Sequence, residues 1–93
     1  MVSKKVVLKN SEGLHVRPAG LFSNEMQKFL SDVWVFHKES LVSGKSIMNL
    51  IAAGIQCGDE VEIRCSGEDE EEALARAVEL VETGLSEAGG GRP

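Results

Sequence analysis

Val6 and Leu8 alternate with Lys5, Val7 and Lys9, the period-two pattern of a short strand. The Asn10-Ser11-Glu12-Gly13 cluster then predicts a turn. From Val16 the period changes: Ala19, Phe22, Met26 and Phe29 recur at spacings of three and four, as on one helix face. Val33-Trp34-Val35-Phe36 is β-branched and aromatic and reads as a strand. Lys38-Glu39-Ser40 is a hairpin turn, and Leu41-Val42 begins the returning strand. Ser46 is placed to cap a short helix through Ile47, Met48, Leu50 and Ile51, because a serine hydroxyl accepts from an orphan helix amide. Gly54 is placed to end that helix in the left-handed conformation.

Further on, Val61, Ile63 and Cys65 alternate with Glu60, Glu62 and Arg64, a half-buried strand. Asp69 and Glu72 have capping-box spacing. Glu70 and Glu71 place charge where the helix dipole favours it. Leu74, Ala77, Val78 and Val81 supply the apolar stripe of a last helix, with Gly84 as its stop. The order β-α-β-β-α-β-α predicts an α/β (α+β) open-faced sandwich: a four-stranded, mostly antiparallel sheet with three helices on one face. Residues 1–85 are expected to form this one domain, and residues 86–93, which include Gly89-Gly90-Gly91, a flexible C-terminal tail.

Composition narrows the function classes. A chain of 93 residues buries one modest core and has little room for a deep substrate pocket. Its net charge of -5 argues against a nucleic-acid partner, since phosphate backbones attract basic surfaces. No apolar run approaches the roughly 20 residues that span a bilayer, so no membrane insertion is expected. The apolar stretch after Lys4 and Lys5 is too short for a signal peptide, which makes the cytoplasm the expected location. Cys57 and Cys65 have no metal-ligand spacing, and two buried or half-buried thiols are expected in preference to a disulfide. No metal and no cofactor is expected.

The chemistry concentrates at Gly13-Leu14-His15-Val16-Arg17-Pro18-Ala19. His15 falls where the turn meets the first helix, whose leading amides lack intrahelical partners and carry partial positive charge. Such a terminus binds anions. With His15 as the N-cap, the amides of Val16 and Arg17 are placed to stabilise a phosphate on its ring. Pro18 has no N–H to leave unsatisfied, and the Arg17 guanidinium is a fork suited to phosphate oxygens. Imidazole titrates near pH 6.5, so near neutrality the unprotonated ring is a competent nucleophile. The bare pattern His-X-Arg-Pro also fits a plain surface histidine in a turn.

The longer pattern is more specific. Gly13-Leu14-His15-Val16-Arg17-Pro18-Ala19 resembles the active-site motif of the HPr family, the histidine-containing phosphocarriers of the phosphoenolpyruvate-dependent sugar phosphotransferase system. Gly44-Lys45-Ser46-Ile47-Met48 resembles that family's second signature, and Gly58-Asp59-Glu60-Val61 and Gly67-Glu68-Asp69-Glu70 are similar to the loops flanking its last strand. The resemblance covers roughly residues 3–85. It implies a phosphocarrier, not an independent enzyme: His15 accepts a phosphoryl group at Nδ1 from phospho-enzyme I and donates it to a sugar-specific enzyme IIA, assisted by Arg17. It implies regulatory phosphorylation at Ser46 by HPr kinase/phosphorylase, linked to a transcriptional regulator. Ile47, Met48 and Ile51 are implied as an apolar docking patch. A monomer is expected. Val16, Gly20 and Asn49 depart from the family's usual residues without removing a group that the transfer needs.

Three other readings remain open on sequence. The chain could serve as a Ser46-phosphorylated co-regulator of transcription, a class expected to lack the histidine. It could be a phosphocarrier in a non-sugar pathway, such as a nitrogen-regulatory or dihydroxyacetone kinase chain. Or it could be a small-ligand-binding sandwich with no phosphoryl chemistry. Elsewhere, His37 is read as a packed or solvated residue with no evident partner, and Trp34 and Phe36 as side chains on the open sheet face.

Overall fold

A computed structural model describes residues 1–11 and 13–85. The elements run β1 (Val2–Val7), α1 (Val16–Met26), β2 (Asp32–His37), β3 (Ser40–Ser43), α2 (Ile47–Ala52), β4 (Glu60–Ser66) and α3 (Glu70–Glu82). The strands form one sheet in the order β1-β4-β2-β3, and every neighbouring pair is antiparallel. This is the predicted open-faced sandwich, with three helices against a four-stranded sheet.

Strand alternation decides which face is covered. Val6 lies opposite Val61, Val35 opposite Ile63, and Val33 opposite Cys65; all six are buried. Ala19, Phe22 and Met26 of α1, Leu50 of α2, and Ala73, Ala77, Leu80 and Val81 of α3 close over them. Burying a Val, Leu or Ile side chain is worth roughly 1.5–3 kcal/mol, so this row supplies the main cohesion of the domain. The residues between them in the strands face outward. Trp34 is 38% exposed and Phe36 half-buried, as expected for the open face, and the Arg64 guanidinium lies 4.9 Å from the Phe36 ring centroid.

Several local expectations need correction. Phe29 lies beyond α1, which ends at Met26, although its side chain still packs on the core. Leu8 is buried but lies just outside β1, and Ser40 belongs to β3, leaving Lys38 and Glu39 in the turn. The buried stripe of α3 includes Ala73 and Leu80, whereas Leu74 and Val78 are only half-buried. Asp69 does precede α3, but its side chain makes no capping bond to that helix. Its carboxylate accepts instead from Leu30 N and Ser31 N, each at 2.9 Å, and from Ser31 Oγ at 2.5 Å. These bonds, led by that from the Ser31 hydroxyl and followed by Leu30 N–H, hold the Asp69 carboxyl below its ordinary range. The expected tail over residues 86–93 lies outside the described residues.

Candidate functional site

Gly13 turns the chain into the site with φ of 77°. A Cβ there would lie 2.9 Å from Ile55 O, so glycine serves both the dihedral and the close approach. Gly13 N donates to Asn10 O at 3.1 Å, and the Asn10 side-chain amide donates back to Gly13 O. Leu14 is buried, and its N–H donates to Ile55 O at 2.9 Å. His15 thus follows directly on an anchored residue and is itself exposed.

His15 is the N-cap of α1, in extended backbone, and its carbonyl accepts the first intrahelical bond from Ala19 N at 2.8 Å. The imidazole makes no capping bond. Val16 and Arg17, both exposed, supply the leading amides of the helix, while the buried Pro18 has no donor to leave unpaired. The His15 ring thus stands at the start of α1 beside its leading amides, with Arg17 exposed two residues further on. Such a helix start can stabilise a tetrahedral dianion attached to the ring.

The second motif packs beside the first. A Cβ on Gly44 would stand 2.7 Å from Val33 Cγ1 and 3.2 Å from Phe22 Cε2, so this position is closed to larger residues. Lys45 Nζ donates to Phe29 O at 2.8 Å, and Lys45 O accepts from Ser23 Oγ at 2.9 Å and Gln27 Nε2 at 3.1 Å. The segment is thereby fixed to α1 and the turn after it. Ser46 is the N-cap of α2, and its Oγ accepts from Asn49 N at 3.3 Å, as predicted. Met48 is 74% exposed and Ile47 36% exposed, whereas Ile51 is half-buried against the core. Ile51 is therefore the base of the apolar patch and not its surface. A Cβ on Gly20 would meet Ile47 Cδ1 at 4.0 Å, and Gly20 shares a helix face with Val16, one turn away. Apolar surface thus runs from the His15 corner across Val16 and Gly20 to Ile47 and Met48.

Two other sequence expectations change. Cys57 is exposed, and Cys65 is buried and free; burial, then the charges of Glu70 and Asp69, push the Cys65 thiol up to about 11. His37 has a partner: its Nε2 lies 2.9 Å from Asp59 Oδ2. The three contacts of Lys45 with α1 and the turn after it had no local signal in the sequence. Among the described residues, no group of His, Cys, Asp or Glu is arranged to hold a metal ion, and no helix is long and apolar enough to cross a membrane.

The architecture is an open-faced sandwich with an exposed histidine at the start of its first helix. Residues 2–83 match the family described as PTS HPr component, phosphorylation site, and the chain belongs to that HPr family of phosphotransferase-system phosphocarriers. It is 40% identical over 82 residues to the HPr-like protein Crh of Bacillus subtilis, covering 88% of this chain and 96% of that one. It is 36% identical over 83 residues to the phosphocarrier protein HPr of Borreliella burgdorferi, covering 89% and 96%. Its fold is similar to the crystal structure of HPr from Thermoanaerobacter tengcongensis, with a TM-score of 0.88 and 39% identity over 91% of this chain and 96% of that one.

Proposed function

We propose that this chain accepts a phosphoryl group from phospho-enzyme I on His15 and donates it to a sugar-specific enzyme IIA in the cytoplasm. The observation that carries the reading is His15 itself: an exposed N-cap whose side chain does not cap its own helix, followed by the amides of Val16 and Arg17. In the transfer, the Nδ1 lone pair attacks phosphorus in line as the donor's N–P bond breaks, its electron pair remaining on the donor nitrogen. Val16 N–H, Arg17 N–H and the Arg17 guanidinium compensate the phosphoryl charge. The Val16-to-Met48 surface is the docking face, with Ile47 and Met48 as contacts and Ile51 supporting them. The carrier works as a monomer.

The test is incubation with phosphoenolpyruvate and enzyme I, followed by intact mass measurement. The wild type should gain one phosphoryl group that is lost in mild acid and kept in base, and His15→Ala should gain none. An unchanged gain in the alanine variant would sink the assignment.

Ser46 is the regulatory position in this reading. A phosphoserine adds about -1.5 to -2 charges at neutral pH beside the apolar docking face, opposing an acidic partner. Crh of Bacillus subtilis, 40% identical, is described as a catabolite repression HPr, and this likeness supports a second reading, in which a Ser46-phosphorylated form acts as a co-regulator of transcription. His15 is the feature that favours carriage. HPr kinase/phosphorylase acting on the purified chain, with Ser46→Ala as control, tests the regulatory half separately.

A further inference from the structure

His37 ends β2 with 4% of its surface exposed, and the carrier chemistry makes no use of it. Its Nε2 meets Asp59 Oδ2 at 2.9 Å, and that same oxygen accepts from Gln56 N at 2.9 Å. Asp59 N donates in turn to Gln56 O at 2.9 Å. The turn from Gln56 to Asp59 is thus closed by its own backbone and by one carboxylate oxygen, and β2 holds that oxygen. The Gln56 N–H first, and then His37, keep the Asp59 carboxyl below its ordinary range, so it is an ionised acceptor near neutral pH. His37 Nε2 is therefore the donor, in the Nε2–H tautomer or as imidazolium. Lys5, Lys38, Glu60 and Glu62 surround the same depression, two charges of each sign.

This turn, with Ile55 directly before it, suspends the His15 loop at both ends. Leu8 N donates to Asp59 O at 2.9 Å, and Gly58 N donates to Leu8 O at 2.8 Å, where the loop begins. Leu14 N donates to Ile55 O at 2.9 Å where it ends, directly before His15. We infer that His37 is a positioning residue for phosphoryl transfer: through Asp59 it fixes the turn from which the His15 loop hangs, and so sets the approach of the imidazole to the incoming phosphorus. This rests on the carrier reading and adds a residue more than twenty positions from His15.

Three variants separate positioning from packing. His37→Leu keeps a buried side chain and removes the donor; His37→Gln places an amide N–H near the position of Nε2; Asp59→Ala opens the link from the loop side. Two readouts are taken on folded protein: amide hydrogen exchange at Leu14 and Gly58, and the kinetics of phosphorylation by phospho-enzyme I. In His37→Leu and Asp59→Ala those amides should exchange about tenfold faster than in the wild type, with core amides of β4 little changed. Transfer should lose about tenfold in kcat with KM for phospho-enzyme I nearly unchanged, because the docking face is intact while the ring is misplaced. His37→Gln should restore most of both. If His37→Leu does not fold, Asp59→Ala decides. Wild-type values of exchange and kcat in the folded variants overturn the inference, as does a loss that His37→Gln fails to repair. A wild-type chain that takes no phosphoryl group removes the carrier reading and the positioning role with it. That outcome is distinct from a competent wild type matched by its variants.

Discussion

The first two helices begin differently. His15 precedes α1 with a side chain that makes no capping bond, while Ser46 precedes α2 and accepts from Asn49 N with its own hydroxyl. Capping with serine typically contributes about 1 kcal/mol, so α1 forgoes a stabilisation that the shorter α2 takes. The helix of 11 residues can stand without it because Ala19, Phe22, Ser23 and Met26 are buried; the helix of 6 residues buries only Leu50 outright. Local stability is invested where packing is thin. In α1 the packing holds a helix whose N-cap side chain makes no capping bond.

The sharpest way to break this contrast is to make the first helix resemble the second. His15→Ser should cap α1 and raise stability by about 1 kcal/mol, seen as a higher thermal midpoint, while phosphoryl acceptance from enzyme I falls to background. Arg17→Ala leaves the N-cap in place and removes the guanidinium. Transfer should slow about tenfold to a hundredfold, the range for a hydrogen bond to a charged group, with the thermal midpoint little moved. A large stability loss with transfer intact would make Arg17 structural.

At the second helix, Ser46→Asp should slow His15 phosphorylation by about tenfold through like-charge repulsion at the docking face, without unfolding the domain. Ser46→Ala should keep the transfer rate and lose about 1 kcal/mol with the missing cap, measured by urea unfolding. Equal transfer rates in wild type, Ser46→Asp and the kinase-phosphorylated chain would remove the regulatory role.

The start of α3 gives the smallest effect, a change of slope. Asp69 has a depressed carboxyl, so the folded state binds fewer protons than the unfolded one in acid. Its contribution is fully present above the unfolded value near pH 3.9 and is lost as pH falls through the lower folded value. Asp69→Asn should therefore flatten the fall of stability below about pH 4, measured as urea midpoint against pH.

The His15 N-cap, the Ser46 cap and the β4 alternation were legible because each is written in a few consecutive residues. The errors share a different cause. Asp69 looks like a helix cap over three or four positions, but its partners Leu30 and Ser31 lie 39 and 38 residues away. His37 meets Asp59 across 22 residues, and no local pattern announces that pairing. In α3, ranking by hydrophobicity favours Leu74 and Val78. The structure buries the expected Ala77 and Val81, but with Ala73 and Leu80 in place of Leu74 and Val78. Exposure of Cys57 follows from its place in the turn under the His15 loop, which the sequence could not locate. Arg17 was readable from its guanidinium beside the helix start, whereas the docking role of Ile47, Met48 and Ile51 came from the family resemblance, since an exposed side chain leaves little trace in periodicity.

The sheet order has a consequence for how the chain reaches its fold during synthesis. β4 lies between β1 and β2, so the earliest strand has no partner until residues 60–66 have been made. The β2–β3 hairpin, joined by Lys38 and Glu39, can form as soon as it emerges. β1 must wait, for several seconds at about 5–20 residues per second, with its hydrogen-bonding edge unsatisfied. Three lysines at Lys4, Lys5 and Lys9 in and just after that strand provide the charge that keeps a waiting edge from joining its neighbours on other nascent chains. Completion of the sheet waits on the seven residues of β4, which bridge the hairpin to the first strand.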